Sequence, residues 1–365
     1  MWSLRPVGFE DLPGWAADDH RAAVCAFARH AGTVGNKPYR TGAIGIEPGD
    51  LQPLHIAAGK TAARNDPRRF LEEEFQPLAL LPEAGKPGLV TAFYEPEIEA
   101  SPVRDCRYTT PIHRRPPDLV AVDDSNRPSA WGKDVRFGQI GAGGSISPYP
   151  DRRAINNGCL DGRGLEIAWV EDAVDAFFAH IQGAARLKMT DGSIVRITYD
   201  GKSGHPFTPI GRLLVERGEI ASHAVGMQTI RSWLAKNLDR ARALMEENRS
   251  YIFFRVEPVD DPDDGPIAAA KVPLTAGRSL AVDRLIHTYG TPVFVHAGKV
   301  GGADWSRLMI AQDTGSAIVG PARGDLFMGS GDRAGEAASD VCSAADFYLL
   351  APKASAIAVA AGMSP

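Results

Sequence analysis

Apolar and polar residues recur with two different periods along this chain, and the change of period splits it into three stretches. Asp18-Asp19 precede Ala22, Val24, Ala26 and Phe27, and Gly32 closes the run, which predicts a helix with an acidic start and a glycine stop. Leu54 to Ala63 and Pro67 to Glu74 read as two further helices. Gly88 to Ala100 predicts a strand pair broken at Glu95-Pro96, where the pre-proline position holds Glu95 extended. Residues 103 to 165 are loop-heavy. Leu165 to Val170 then predicts a strand, followed by a helix with Val174, Phe177, Phe178 and Ile181 at i, i+3, i+4 and i+7. Thr190-Asp191-Gly192 joins two strands as a hairpin. Three helices are expected next: one opened by Thr208-Pro209 and stopped by Gly218, then Val225 to Asn237 and Asp239 to Asn248. From Tyr251-Ile252-Phe253-Phe254 to Lys353 the pattern reads all-β.

An α-rich start and a β-rich end therefore flank a middle of different texture. The expected organisation is one domain from residues 1–102 and 257–365, interrupted by an inserted domain at 103–256, with a cleft between them as the default ligand site.

Composition changes this picture little. In 365 residues, hydrophobic content of 44% and charged content of 23% are ordinary for a globular protein. A net charge of −5 and the lack of any long basic run argue against nucleic acid. No apolar stretch approaches the ~20 residues of a membrane helix, and Met1-Trp2-Ser3-Leu4-Arg5-Pro6 has no signal-peptide character. Cys25, Cys106, Cys159 and Cys342 show no metal spacing; Cys25 is expected in a helix core, and Cys106 and Cys159 are expected unpaired. No histidine pair has ligand spacing, so neither metal nor other cofactor is expected.

Candidate chemistry centres on Arg307 to Gly320, running on to Gly324-Asp325-Leu326-Phe327. Asp313 and Asp325 both stand where apolar runs meet glycine. Two readings fit: turn-capping aspartates, or a dry carboxyl pair that keeps a proton near neutral pH. Glu95 and Glu97 beside Tyr94 form a rival acidic pair, with exposed strand charge as the plainer reading. Glu166 alternates with Leu165 and Ile167. Gln182-Gly183 reads equally as a helix cap or as a groove amide that hydrogen-bonds a ligand. Tyr94, Trp131 and Tyr199 suit sugar faces, and Lys202 and Arg152 suit carboxylates, although core aromatics and solvated charge are the simpler roles. His180 and His205 read as structural. No G-x-S-x-G elbow exists around Ser145, Ser203 or Ser316.

Several stretches together resemble the membrane-bound lytic murein transglycosylase A family. They are Phe93-Tyr94-Glu95-Pro96, Gly164 to Val170, Phe177 to Gly183, Tyr199 to Gly211, Met227 to Trp233, Asn248 to Phe254, Val272 to Thr275, Arg278 to Asp283, and the stretch around Asp313 and Asp325. The resemblance implies a mainly β fold with peripheral helices (α+β): a double-psi β-barrel from both chain ends, plus an inserted β-rich domain with glycan lying between. It implies cleavage of the β-1,4 bond between N-acetylmuramic acid and N-acetylglucosamine to 1,6-anhydromuramoyl ends, in the periplasm or at the outer membrane. Asp325 takes the place of the family's catalytic acid, and Asp313 matches the acid close to it. Tyr94, Glu95, Glu166, Gln182, Gly183, Tyr199, Lys202, Thr314, Gly315 and Ser316 are the expected substrate contacts. The expected partners are peptidoglycan strands and other cell-wall enzymes, with the protein itself a monomer. Leu326-Phe327-Met328 departs from relatives that place further aromatics there, and the lipoprotein cysteine of many members is not in this chain. A hydrolytic glycosidase using the two aspartates, and a non-catalytic peptidoglycan-binding protein, are the alternatives.

Overall fold

The computed structural model describes residues 2–32, 39–60, 65–83, 87–132, 135–259, 261, 263–300, 302–339 and 341–361. The chain forms two compact units, Met1–Tyr94 with Asp261–Pro365, and Glu95–Asp260. The division falls between Tyr94 and Glu95 because the strand Glu97–Ser101 pairs in parallel with Ala184–Met189, inside the second unit's sheet.

The first unit holds the expected double-psi barrel. Six strands close on themselves in the order Gly88–Glu95, Cys342–Pro352, Pro292–Val300, Ala303–Asp313, Ser279–Val282, Arg323–Ser330 and back to Gly88–Glu95. Ser3–Pro6 and Phe75–Leu81 extend the sheet from the Cys342–Pro352 strand. Barrel strands such as Pro292–Val300 are buried along most of their length rather than on alternate residues. Helices cover their outer face, so both faces are dry. Phe27 on the helix His20–Ala28 meets Phe75 at 5.7 Å between ring centroids, and Phe294, Leu308, Ile310, Leu326 and Phe347 fill the centre. Asp19 caps that helix through the Ala22 amide. Its neighbour Asp18 is drawn inward, where Arg278 grips it at 2.8 and 3.0 Å and the Leu308 amide donates at 2.7 Å.

Three expectations fail in this unit. The stretch to Lys353 is not all-β, because Asp332–Ser339 is helical; its inward face is Ala334, Gly335 and Ala338, too small to register as an apolar period. Gly335 is needed there, since a Cβ would come within 2.8 Å of the Tyr94 ring. An earlier helix opens at Pro48 rather than Leu54 and runs to Ala58, with Pro53 inside it; the expected positions 61–63 lie outside the described residues. Cys25 faces out of its helix, and all four cysteines are free.

The second unit has a six-stranded sheet ordered Ile252–Glu257, Ile194–Lys202, Ala184–Met189, Glu97–Ser101, Glu166–Val170, Thr110–His113, and a smaller sheet of Leu119–Ala121, Phe137–Ile140 and Ile146–Ser147. The helix Ala173–Gln182 opens on Asp172 and packs Phe177 and Phe178 against Leu214, Trp233, Leu234 and Leu244 of three further helices. Among the described residues no helix is long and apolar enough to cross a membrane.

Candidate active site

Asp313 ends one barrel strand and Asp325 sits near the start of another, with the short strand Ser279–Val282 between them. Ala281 is opposite Asp325 on one side and opposite Asp313 on the other. Directly opposed residues point to the same face of a sheet, so both carboxyls stand over the small Ala281 side chain. Their backbones are two strand spacings apart, roughly 10 Å.

A one-residue irregularity makes this possible. Ser279 and Leu280 pair with Ile310 and Ala311, but Ala281 pairs with Asp313, so Gln312 is the extra residue of a bulge. In an unbroken register Gln312 would oppose Ala281 and Asp313 would turn to the opposite face. The bulge is pinned by the fully buried Gln312 amide. Ser279 Oγ donates to its Oε1 at 2.5 Å, and its Nε2 donates to the Ala26 carbonyl and to His30 Nε2, both at 3.1 Å. Burial lowers His30 to about 3, so the ring is neutral and can accept. His30 in turn contacts Tyr39, whose hydroxyl donates to the Ala270 carbonyl at 2.6 Å. The Ala270 amide donates to the Gln312 carbonyl at 3.0 Å, and the Ala269 amide to Asp313 Oδ1 at 3.3 Å. This turn is finished by Lys271 at φ 61, a left-handed conformation unusual for a side chain of that kind.

Asp325 is oriented differently. Arg323 Nη2 donates to Thr91 Oγ1 at 2.7 Å, so the Thr91 hydroxyl hydrogen is directed to Asp325 Oδ1. That leaves Oδ2 as the oxygen able to exchange a proton. Phe327, two residues along the same face, meets Phe93 at 5.3 Å between centroids and keeps the surroundings apolar. Only an edge of each aspartate reaches the surface. Burial raises Asp313 to about 6, the Asp325 charge pushing the same way while the Thr314 and Ala269 amides and Lys271 oppose it. Burial also raises Asp325, against the Thr91 hydrogen bond and the Arg323 charge. The pair therefore binds a proton at a pH where ordinary aspartates are ionised.

Of the expected contacts, Thr314, Gly315 and Ser316 adjoin the pair. Thr314 Oγ1 donates to the Val282 carbonyl at 2.8 Å, while Gly315 and Ser316 are exposed. Tyr94 lies in the same unit, only 9% exposed and packed on Gly335. The other expected contacts belong to the second unit. Glu95 is not offered to a ligand: it is 1% exposed, with Arg186 Nε at 2.9 Å and Arg196 Nε at 2.7 Å occupying its carboxylate. Gly183 is a helix cap with φ 78, its amide bonded to the Ala179 carbonyl at 2.8 Å and its carbonyl to the Tyr199 amide at 2.8 Å. Gln182 ends that helix, Glu166 is half-buried at the start of its strand, Lys202 is half-buried, and Tyr199 is 41% exposed. Thr91, Arg323, Ala269 and Gln312 were not foreseen. Gln312 lay inside the suspect stretch, but nothing local marks a bulge. Among the described residues no His, Cys, Asp and Glu cluster could hold a metal.

Comparison with known proteins places the arrangement. A family model described as the MltA specific insert domain matches residues 89–255, and one described as the 3D domain matches residues 278–351. A solved membrane-bound lytic murein transglycosylase from Agrobacterium tumefaciens is similar at 51% identity and TM-score 0.91, covering 98% of this chain and 99% of that one. MltA from Neisseria gonorrhoeae is similar at 32% identity and TM-score 0.78, covering 96% and 92%. Among curated proteins, membrane-bound lytic murein transglycosylase A of Escherichia coli K12 is 31% identical over 257 residues; the match takes in 68% of this chain and spans 61% of that protein's length.

Proposed function

The chain belongs to the membrane-bound lytic murein transglycosylase A family, and from that premise we propose that it cleaves peptidoglycan between N-acetylmuramic acid and N-acetylglucosamine without water, leaving 1,6-anhydromuramoyl ends. The observation that carries the reading is the pair of enclosed carboxyls facing one side across Ala281.

A hydrolytic glycosidase needs one carboxyl for the leaving oxygen and another to deliver water or act as nucleophile. Here the nucleophile is the C6 hydroxyl of the muramic ring itself. Intramolecular attack of this kind is worth up to roughly 7–11 kcal/mol in favourable geometries. One carboxyl then suffices: Asp325 Oδ2 gives its proton to the glycosidic oxygen and afterwards takes one from the C6 hydroxyl as the anhydro ring closes. Asp313 keeps that proton available, since two carboxylates on one dry face do not both ionise cheaply. Thr91 and Arg323 fix which oxygen does the work.

Asp325→Asn removes the titrating oxygen at constant shape. Purified variant and parent are incubated with isolated murein and the soluble products weighed by mass spectrometry. Anhydro ends from the parent and none from the variant, with equal unfolding midpoints, are expected. Reducing ends from the parent would make it a hydrolase, and no release at all a binding protein. The reaction places the protein in the periplasm, where its substrate is.

A further inference from the structure

The second unit contains a cavity of about 510 Å³ that no part of the reaction above uses. That volume is in the range of small-molecule sites. Its lining includes Arg104, Arg152, Arg242, His113, His180 and Trp169.

Arg152 is the unusual member. It is only 3% exposed, yet among the described residues no carboxylate lies within ion-pair distance of it. Its hydrogen bonds go to neutral acceptors: the Asn248 carbonyl at 2.9 Å, the Ser250 carbonyl at 2.6 Å and His180 Nδ1 at 2.9 Å. Glu246 acts on it only from a distance, and Arg153 and Arg242 already neutralise that acid at 3.2 and 2.8 Å. Burial lowers Arg152 to about 10, which still leaves it charged at neutral pH. Buried charges are ordinarily paired.

Two more groups lack partners. Because Arg152 donates to His180 Nδ1, the His180 proton sits on Nε2, which has no acceptor among the described residues; His113 Nε2 is likewise buried and unpartnered among them, its Nδ1 being bonded to the Tyr251 hydroxyl at 2.8 Å. At the surface Arg104 lies over the Trp169 ring, 5.3 Å from its centroid, with no carboxylate partner among the described residues. Arg242 is already engaged with Glu246 and with Asn157 Oδ1 at 2.6 Å. Asp161 is the single acid among the described residues of the lining, so positive charge prevails there.

We propose that this cavity is a second binding site, one that takes the free carboxylates of the peptide stems carried by peptidoglycan strands. Arg152 supplies charge from below, Arg104 engages the carboxylate at the mouth, and the Trp169 face packs on the apolar part of the stem. The choice of stem peptide as source rests on the reaction proposed above; the preference for a carboxylate rests on the unpaired arginines.

The test uses the full chain carrying Asp325→Asn, so that nothing is consumed. Isothermal titration compares N-acetylmuramoyl-L-alanyl-D-glutamate with the analogue in which both carboxyls are amides. The diacid is expected to bind at least tenfold more tightly. Arg104→Gln is expected to remove at least tenfold of that affinity and Arg104→Glu to abolish the preference, with unfolding midpoints unchanged because residue 104 is exposed. Equal affinity for diacid and diamide, or Arg104 variants that bind like the parent, would overturn the site. So would inorganic phosphate competing as strongly as the diacid. A chain that binds the diacid yet never yields anhydro ends overturns the reaction alone; one that yields them while ignoring the diacid overturns this site alone.

Discussion

Replacing Gln312 with Met tests whether the bulge, rather than proximity in sequence, sets the acid pair. Met matches Gln closely in length and volume but makes no strong hydrogen bond. The substitution deletes the bonds from Ser279 Oγ and to the Ala26 carbonyl and His30 Nε2. At roughly 0.5–1.5 kcal/mol net for each, the loss is about 1.5–4.5 kcal/mol. Urea unfolding reads this directly. The more telling readout is electrostatic. With the pin gone, the register that places residue 312 opposite Ala281 becomes accessible, and Asp313 turns off the shared face. Its carboxyl, held at about 6 in the parent, then titrates in the ordinary aspartate range, which carbon NMR of the labelled side chain follows. Ser279→Ala is the control: it removes one of the three Gln312 bonds, together with the bond that Ser279 Oγ accepts from the Thr275 amide at 2.7 Å, and costs about 1–3 kcal/mol, but leaves the bulge and the titration in place. A Gln312→Met protein of parental stability, or one whose Asp313 still titrates near 6, would refute the reasoning.

Three further outcomes are expected. Because the folded-state value of Asp313 is raised from 3.8 to about 6, its contribution to stability is full below pH ~4 and is lost as pH rises through 6. At about 1.4 kcal/mol per decade the gap amounts to at most ~3 kcal/mol, nearer 2 for a partly exposed group. Asp313→Asn should therefore flatten the stability curve between pH 4 and 7 in urea titrations. Thr91→Val removes the hydrogen bond that favours ionised Asp325, so the alkaline limb of the pH–rate profile should move upward; a downward shift would contradict the assigned orientation. Glu95→Gln leaves Arg186 and Arg196 buried without their counter-charge and should cost about 3–5 kcal/mol in unfolding measurements, whereas a merely exposed glutamate would cost almost nothing.

How far the chain could be read without its fold depended on how local each signal was. The Thr190-Asp191-Gly192 hairpin and the Gly183 cap are written in adjacent residues, and both appear with Gly192 and Gly183 at positive φ. The two aspartates were visible because each lies where an apolar run meets glycine. What puts them on one face was not visible, since a bulge is defined by its partner strand and Ser279 is far from Gln312 in sequence. Thr91 is more distant still. Glu95 misled for the same reason: its own neighbours suggest an exposed strand, while the arginines that bury it come from strands some ninety to a hundred residues later.

The barrel closes only when Cys342–Pro352 pairs with Pro292–Val300 and with Gly88–Glu95. A nascent chain emerging from its N-terminus thus carries Thr91 long before Asp313 and Asp325 exist, and the strand that locks all three into a ring follows Asp325 in turn. Contacts of such separation form late and slowly. Under the reaction proposed above, competence arrives only when that strand joins the ring, and fragments that stop short of it carry no working blade.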